Sequence, residues 1–71
     1  MRPTEYLSAL CDIEEAETAA DLRCVLKRLQ RRLERAGELR DPDDRGRAAL
    51  ARLDERARDL AVIEALLAGL G

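Results

Sequence analysis

The sequence contains no histidine, no tryptophan and no phenylalanine, and Tyr6 is its only aromatic residue. Without histidine, the side chain most often used as a general base and metal ligand is absent. No glycine-rich phosphate loop is present, and no serine or cysteine has a candidate base. Adjacent acids such as Asp43 and Asp44 fit helix caps better than a paired-carboxylate site. We therefore expect no catalytic residue, no bound metal and no cofactor, and we expect that the protein is not an enzyme.

Cysteine is also scarce, since Cys11 and Cys24 are the only two. Their spacing is not that of a metal site. Two cysteines allow one disulfide, but nothing else in the sequence indicates export. Cys24 lies among arginines, a setting in which a thiol can be reactive. We nevertheless expect two reduced thiols without a specific role.

Long apolar runs are missing, so we expect no membrane-spanning helix. Residues 1–5 lack the apolar segment of a signal peptide, which favours a cytoplasmic protein. The formal net charge of −2 is small. The chain is therefore neither a strong polycation that would bind nucleic acid nor a polyanionic tail.

Aliphatic and charged residues dominate what remains. Hydrophobic residues make up 46% and charged residues 39% of a chain of 71 residues. This length suffices for a single domain, residues 1–71, with a small aliphatic core. Because such a core supplies little stability, proteins of this size often gain stability from a partner.

The apolar spacing predicts an all-α fold with helices at about residues 4–17, 18–36 and 42–68. Leucines in the second and third helices recur in steps of three and four, as in a coiled coil. Residues favoured at helix ends mark the boundaries. They are Pro3 or Thr4 at the first start, Thr18 with Asp21 at the second start, Gly37 at the second end, and Asp41 with Pro42 at the third start.

Two long helices joined by a short connection are expected to form an antiparallel hairpin. Apolar residues of both helices would form the seam between them. These residues are Leu22, Leu26, Leu29, Leu33 and Ala36 in the second helix, and Leu50, Leu53, Ala57, Leu60 and Leu67 in the third.

The shorter N-terminal segment does not fit this register. In an unbroken helix, Tyr6, Leu10, Ile13 and Ala20 would lie opposite the leucines of the second helix. The chain is therefore predicted to break or bend near Thr18, or its first segment packs on something else.

The end of the third helix has more apolar residues than the hairpin seam uses. Val62, Leu66 and Leu70 form a second stripe that faces away from the seam. Either the first segment folds over this stripe and completes a three-helix bundle, or another polypeptide covers it. We favour a partner. The candidate partner-binding residues are Val62, Ile63, Leu66, Leu70, Tyr6 and Leu10.

The second helix also carries a basic face. Its residues are Arg23, Lys27, Arg28, Arg31, Arg32 and Arg35. No aromatic residue accompanies them for base stacking, and nearby acids dilute the field. We expect a solvated face with salt bridges to the acidic first segment, and no nucleic-acid binding.

These features resemble a known family. They are the leucine seam from Leu22 to Leu33, Gly37 with the turn Leu39-Arg40-Asp41-Pro42, and the seam Leu50, Leu53, Leu60 leading into Val62-Ile63. Over most of its length, the chain is similar to the small E-component co-chaperones of type III secretion needle subunits. The resemblance implies a cytoplasmic helical hairpin that, with a chaperone made of helical repeats, keeps the needle subunit soluble until export.

Two other classes of protein-binding module fit the same pattern. One is a homodimeric hairpin that forms a four-helix bundle and acts as a regulator or RNA-binding adaptor. The other is a phage or plasmid protein that inhibits a host complex by docking a helix on it.

Overall fold

The chain forms three α-helices in a computed structural model that describes residues 1–70. They are α1 (Pro3–Glu15), α2 (Ala19–Arg35) and α3 (Asp44–Leu70). No strand occurs in residues 1–70, so the predicted all-α class with three helices is confirmed. The break predicted near Thr18 is also present, because the backbone is extended at Ala16 and at Thr18.

The ends of α2 follow the predicted capping chemistry. The Thr18 hydroxyl accepts a hydrogen bond from the backbone N–H of Asp21 at 3.1 Å. At the other end, Gly37 adopts a φ of 73°, a left-handed conformation in which a Cβ atom is strained. The Glu38 N–H donates to the Leu33 carbonyl at 2.8 Å, which closes a Schellman turn.

The N-cap of α1 and the start of α3 differ from the prediction. Helix α1 starts at Pro3, one of the two predicted positions, but its N-cap is Arg2, and Thr4 lies inside the helix. The third helix starts at Asp44, two residues after the predicted start at Pro42. The Asp43 carboxylate accepts from the Gly46 N–H at 2.7 Å. Asp43 therefore does the capping expected of Asp41, because its side chain is the one that reaches the free N–H groups of the first turn.

The buried core consists of side chains from all three helices. Its members are Ala9, Ile13, Ala16, Leu22, Val25, Leu29, Leu33, Ala49, Leu53 and Leu60. Five of the predicted seam leucines are among them, whereas Leu26 and Leu50 are only partly buried. Val25 and Ala49 replace Ala36 and Ala57, which are exposed. Because three helices share the core, the residues that each helix buries differ from those that a two-helix seam would bury.

Gly46 makes close packing possible at one end of the core. A Cβ atom at this position would lie 3.2 Å from Leu33 Cδ2 and 3.1 Å from Asp43 Oδ1. Because Gly46 has no Cβ atom, α3 can approach α2 closely here.

Helix α1 packs against both other helices. Arg52 of α3 donates from Nη2 to Glu14 at 2.6 Å and from Nη1 to Glu55 at 2.9 Å. The hydrogen bond to Glu14, and to a smaller extent that to Glu55, raises the pKa of the Arg52 guanidinium. Arg56 of α3 donates to the Ala16 carbonyl at 3.3 Å. Together these contacts hold the end of α1 beside the middle of α3.

The predicted salt bridges between α1 and the basic face of α2 are not found in residues 1–70. The acidic side chain of α1 that forms an ion pair, Glu14, does so with Arg52 of α3. Five of the six basic residues of α2 are exposed, and Arg32 is partly buried. The prediction is wrong because α1 turns this part of its acidic surface toward α3.

Candidate protein-binding surface

The last ten described residues, 61–70, are all exposed although they belong to one continuous helix. Five large aliphatic side chains in this segment have exposed fractions between 44% and 84%. We call them the apolar end of α3. They are Val62, Ile63, Leu66, Leu67 and Leu70.

This surface exists because α3 is longer than the helices that pack on it. It has 27 residues, against 13 in α1 and 17 in α2. The first residue of α2, Ala19, donates its N–H to the Glu64 carboxylate at 2.9 Å. Beyond Glu64, α3 continues to Leu70, about 9 Å further at 1.5 Å per residue.

Most of the exposed side chains share one side of the helix. Ile63, Leu66, Leu67 and Leu70 follow the spacing i, i+3, i+4 and i+7, and Val62 lies four residues before Leu66. These positions form a continuous face over two turns. An apolar face of this kind on a small protein marks an interaction surface more often than a chance exposure.

One predicted cover for this surface is excluded by the geometry. Helix α1 ends at Glu15, and the Ala16 carbonyl contacts Arg56. The first segment therefore packs beside the middle of α3 and leaves the apolar end uncovered. The prediction that Leu67 belongs to the hairpin seam is also wrong, since Leu67 is 62% exposed whereas Leu60, one heptad earlier, is 3% exposed.

Glu64 is the one charged residue in the stretch 60–70. Its carboxylate accepts a hydrogen bond from the first N–H of α2. Helix N-termini carry partial positive charge, so this acid stabilises the start of α2. The charge that would otherwise interrupt the apolar end is thereby directed to the neighbouring helix.

Tyr6 and Leu10 lie elsewhere. Both are partly buried, and Tyr6 packs against the core. The Met1 amino group contacts Asp43 at 2.6 Å, at the start of α3. The structure therefore places Tyr6 and Leu10 on α1, away from the apolar end of α3.

A second apolar surface was not predicted from the sequence. A groove of about 230 Å³ lies between α2 and α3. It is lined by Ala19, Leu22, Arg23, Leu26, Leu53 and Ala57. Leu26 and Ala57 were both expected inside the seam. The sequence feature that could have indicated a groove is the small side chain of Ala57, which leaves space beside the leucines of α2.

The two cysteines are free and exposed. Cys24 borders a shallow cavity with Asp12, Glu15 and Arg28. In residues 1–70 no helix has the length and hydropathy that crossing a membrane requires.

No protein-family model, curated protein or solved structure matches this chain.

Proposed function

We propose that the chain is a protein-binding helical module whose docking site is the apolar end of α3. The observation that carries the proposal is the exposure of five large aliphatic side chains on adjacent turns of one helix. Burying such side chains in an interface contributes roughly 25 cal/mol per Å² of apolar surface removed from water. A partner would thus supply stability that a core of ten mostly aliphatic side chains provides only in part.

The proposal includes an antiparallel hairpin of α2 and α3 as the scaffold. Two contacts support it. Leu33, near the end of α2, lies close to Gly46 at the start of α3, whereas Ala19, at the start of α2, contacts Glu64 near the end of α3. The hairpin holds the apolar end of α3 beyond the core, where a partner can reach it.

The partner class follows from the resemblance to the E-component co-chaperones of type III secretion needle subunits. The residues that carry the resemblance include Gly37, which has a φ of 73° and ends α2 in a Schellman turn. We therefore propose that the chain, with a chaperone made of helical repeats, keeps a needle subunit soluble in the cytoplasm. In this role it performs no chemistry of its own.

The first prediction tests this docking site. The chain is co-expressed with the needle subunit and the helical-repeat chaperone of the same host. We expect a soluble complex with the wild-type chain and none with Leu66→Glu, because an unpaired carboxylate in an apolar interface is costly. Leu66 is 63% exposed, so the isolated variant should keep its helix content. Size-exclusion chromatography and circular dichroism measure the two effects.

The matched control is Leu7→Glu, the same substitution at a leucine that is 60% exposed on α1. This variant should bind like the wild type. Normal binding by the Leu66→Glu variant would contradict the proposal that the apolar end of α3 is the docking site. If the wild-type chain binds neither partner and sediments as a dimer on its own, the homodimeric module is a better proposal than the co-chaperone.

A further inference from the structure

The border of the apolar end of α3 is acidic. Two contacts position the connection between α1 and α2 beside the stretch 56–64 of α3: Arg56 with the Ala16 carbonyl, and Ala19 with Glu64. Glu17 lies between these two anchored residues and Glu15 directly precedes them. Both side chains are exposed.

A third carboxylate lies on α3 itself. Asp59, Ile63, Leu66 and Leu70 follow the spacing i, i+4, i+7 and i+11, which places them on one face of the helix. Asp59 is exposed. A helix that docks along this face therefore meets a carboxylate one turn before the apolar side chains.

Nearby cations neutralise only part of this charge. Arg52 is shared by Glu14 and Glu55. Arg56 donates to the Ala16 carbonyl and keeps its positive charge between Glu15 and Glu17, and Arg28 of α2 lines the same shallow cavity as Glu15. The exposed Arg58 lies more than a quarter turn away from Asp59 and Ile63, and one turn before Val62, so it borders the other edge of the apolar end. Within residues 1–70, Glu15, Glu17 and Asp59 take part in no ion pair: the pairs are formed by other residues, namely Met1 with Glu38 and Asp43, Arg47 with Asp44, and Arg52 with Glu14 and Glu55.

Helix stability does not explain Glu15 at the end of α1, although it does favour Glu17 just before the start of α2. The last turn of α1 contains no basic residue, and carboxylates at a helix C-terminus oppose the helix dipole. In contrast, α2 has Asp21 in its first turn and Arg32 and Arg35 in its last turn, the arrangement that the dipole favours. Where one helix follows this rule and its neighbour breaks it next to an exposed apolar face, a functional reason is expected.

We propose that the partner presents an amphipathic helix whose apolar face is bordered by lysine or arginine side chains. The inference rests on the proposed docking site and adds the charge of its partner. Carboxylates at the rim of an interface attract a basic partner, accelerate association and disfavour acidic competitors. Leucines at the centre and carboxylates at the border together define that partner.

Two synthetic peptides of about 18 residues, five helical turns, provide the probe. They have the same leucine positions and one tryptophan, and differ only in carrying lysine or glutamate at the flanking positions. The chain itself has no tryptophan, so tryptophan fluorescence reports the peptide alone. We expect the lysine peptide to bind about tenfold more tightly, and the preference to fall as salt rises from about 0.05 M to about 0.5 M.

The double substitution Glu15→Lys with Glu17→Lys tests the acidic border. It should remove the preference for the lysine peptide. The melting temperature should change little, because Glu15→Lys favours the end of α1 whereas Glu17→Lys places a cation just before the start of α2, and these two effects oppose each other. The matched control is Glu34→Lys with Asp41→Lys, which changes net charge equally at exposed positions elsewhere and should keep the preference. Asp59→Lys, within α3, tests the border independently of the connection between the helices.

The outcomes separate the two proposals. Binding of both peptides by the Leu66→Glu variant would overturn the docking site itself. Loss of binding in that variant, with no preference between the peptides in the wild type, would keep the docking site and overturn the basic partner. The basic partner would also be overturned if the preference for the lysine peptide remains both in the double variant Glu15→Lys with Glu17→Lys and in Asp59→Lys. A stable wild-type dimer that Leu66→Glu disperses would assign the face to a second copy of the chain.

Discussion

At the residue scale, glycine has opposite roles in two places on this chain. Gly37 has a φ of 73° and ends α2, whereas Gly69 lies in α3 with open space where a Cβ atom would be. The first position needs a left-handed backbone, and the second would accept a side chain. The role of Gly37 could be predicted from the sequence, because a glycine after the last leucine of a helical pattern is typical of a helix end.

The prediction at this scale compares the same substitution at both glycines. Gly37→Ala should lower the free energy of unfolding by about 1 kcal/mol, because alanine is strained in the left-handed region. Gly69→Ala should cause no loss, since alanine is the better helix former. Urea unfolding followed by circular dichroism measures both. Equal effects at the two positions would contradict the Schellman turn.

At the element scale, the helices could be predicted from the sequence but their packing only in part. Leucine spacing and caps placed α2 within one residue at each end. The position of α1 could not be predicted, because it depends on contacts such as Arg56 with the Ala16 carbonyl. These join residues 40 positions apart, and no local pattern signals them. Because α1 packs on α2 as well as on α3, Val25 is buried although it lies outside the predicted seam.

The prediction at this scale concerns Leu29 of α2. Its side chain is 2% exposed in a core to which all three helices contribute. Leu29→Ala should lower the free energy of unfolding by roughly 2–5 kcal/mol through lost burial and a residual cavity. That loss is a large share of the stability of a domain this small. Leu7→Ala, at an exposed leucine, is the control for thermal unfolding. An unchanged melting temperature in Leu29→Ala would contradict the packing of α2.

At the scale of the whole molecule, the protein is elongated. Its principal extents are 44 × 21 × 17 Å and its radius of gyration is 13.3 Å, against about 11 Å expected for a compact chain of this length. The excess follows from α3, which continues past the other helices and carries the apolar end with it. The sequence indicated the excess of apolar residues there. It could not show which leucines of α3 are buried in the core, since that depends on the point along α3 at which α2 starts to pack against it.

Leu60 and Leu67 give the last prediction, because they differ in sequence only by one heptad. Both occupy nearly the same side of α3, yet Leu60 is 3% exposed and Leu67 is 62% exposed. Leu60→Gln should unfold much of the protein, since a buried amide without a partner costs several kcal/mol. Leu67→Gln should leave the melting temperature unchanged and reduce binding of a hydrophobic dye such as ANS, since it removes exposed apolar surface from the apolar end of α3. Thermal unfolding by circular dichroism and dye fluorescence test the pair. If Leu67→Gln destabilises the monomer as strongly as Leu60→Gln, the hairpin seam extends to Leu67 and the apolar end of α3 is not free to dock.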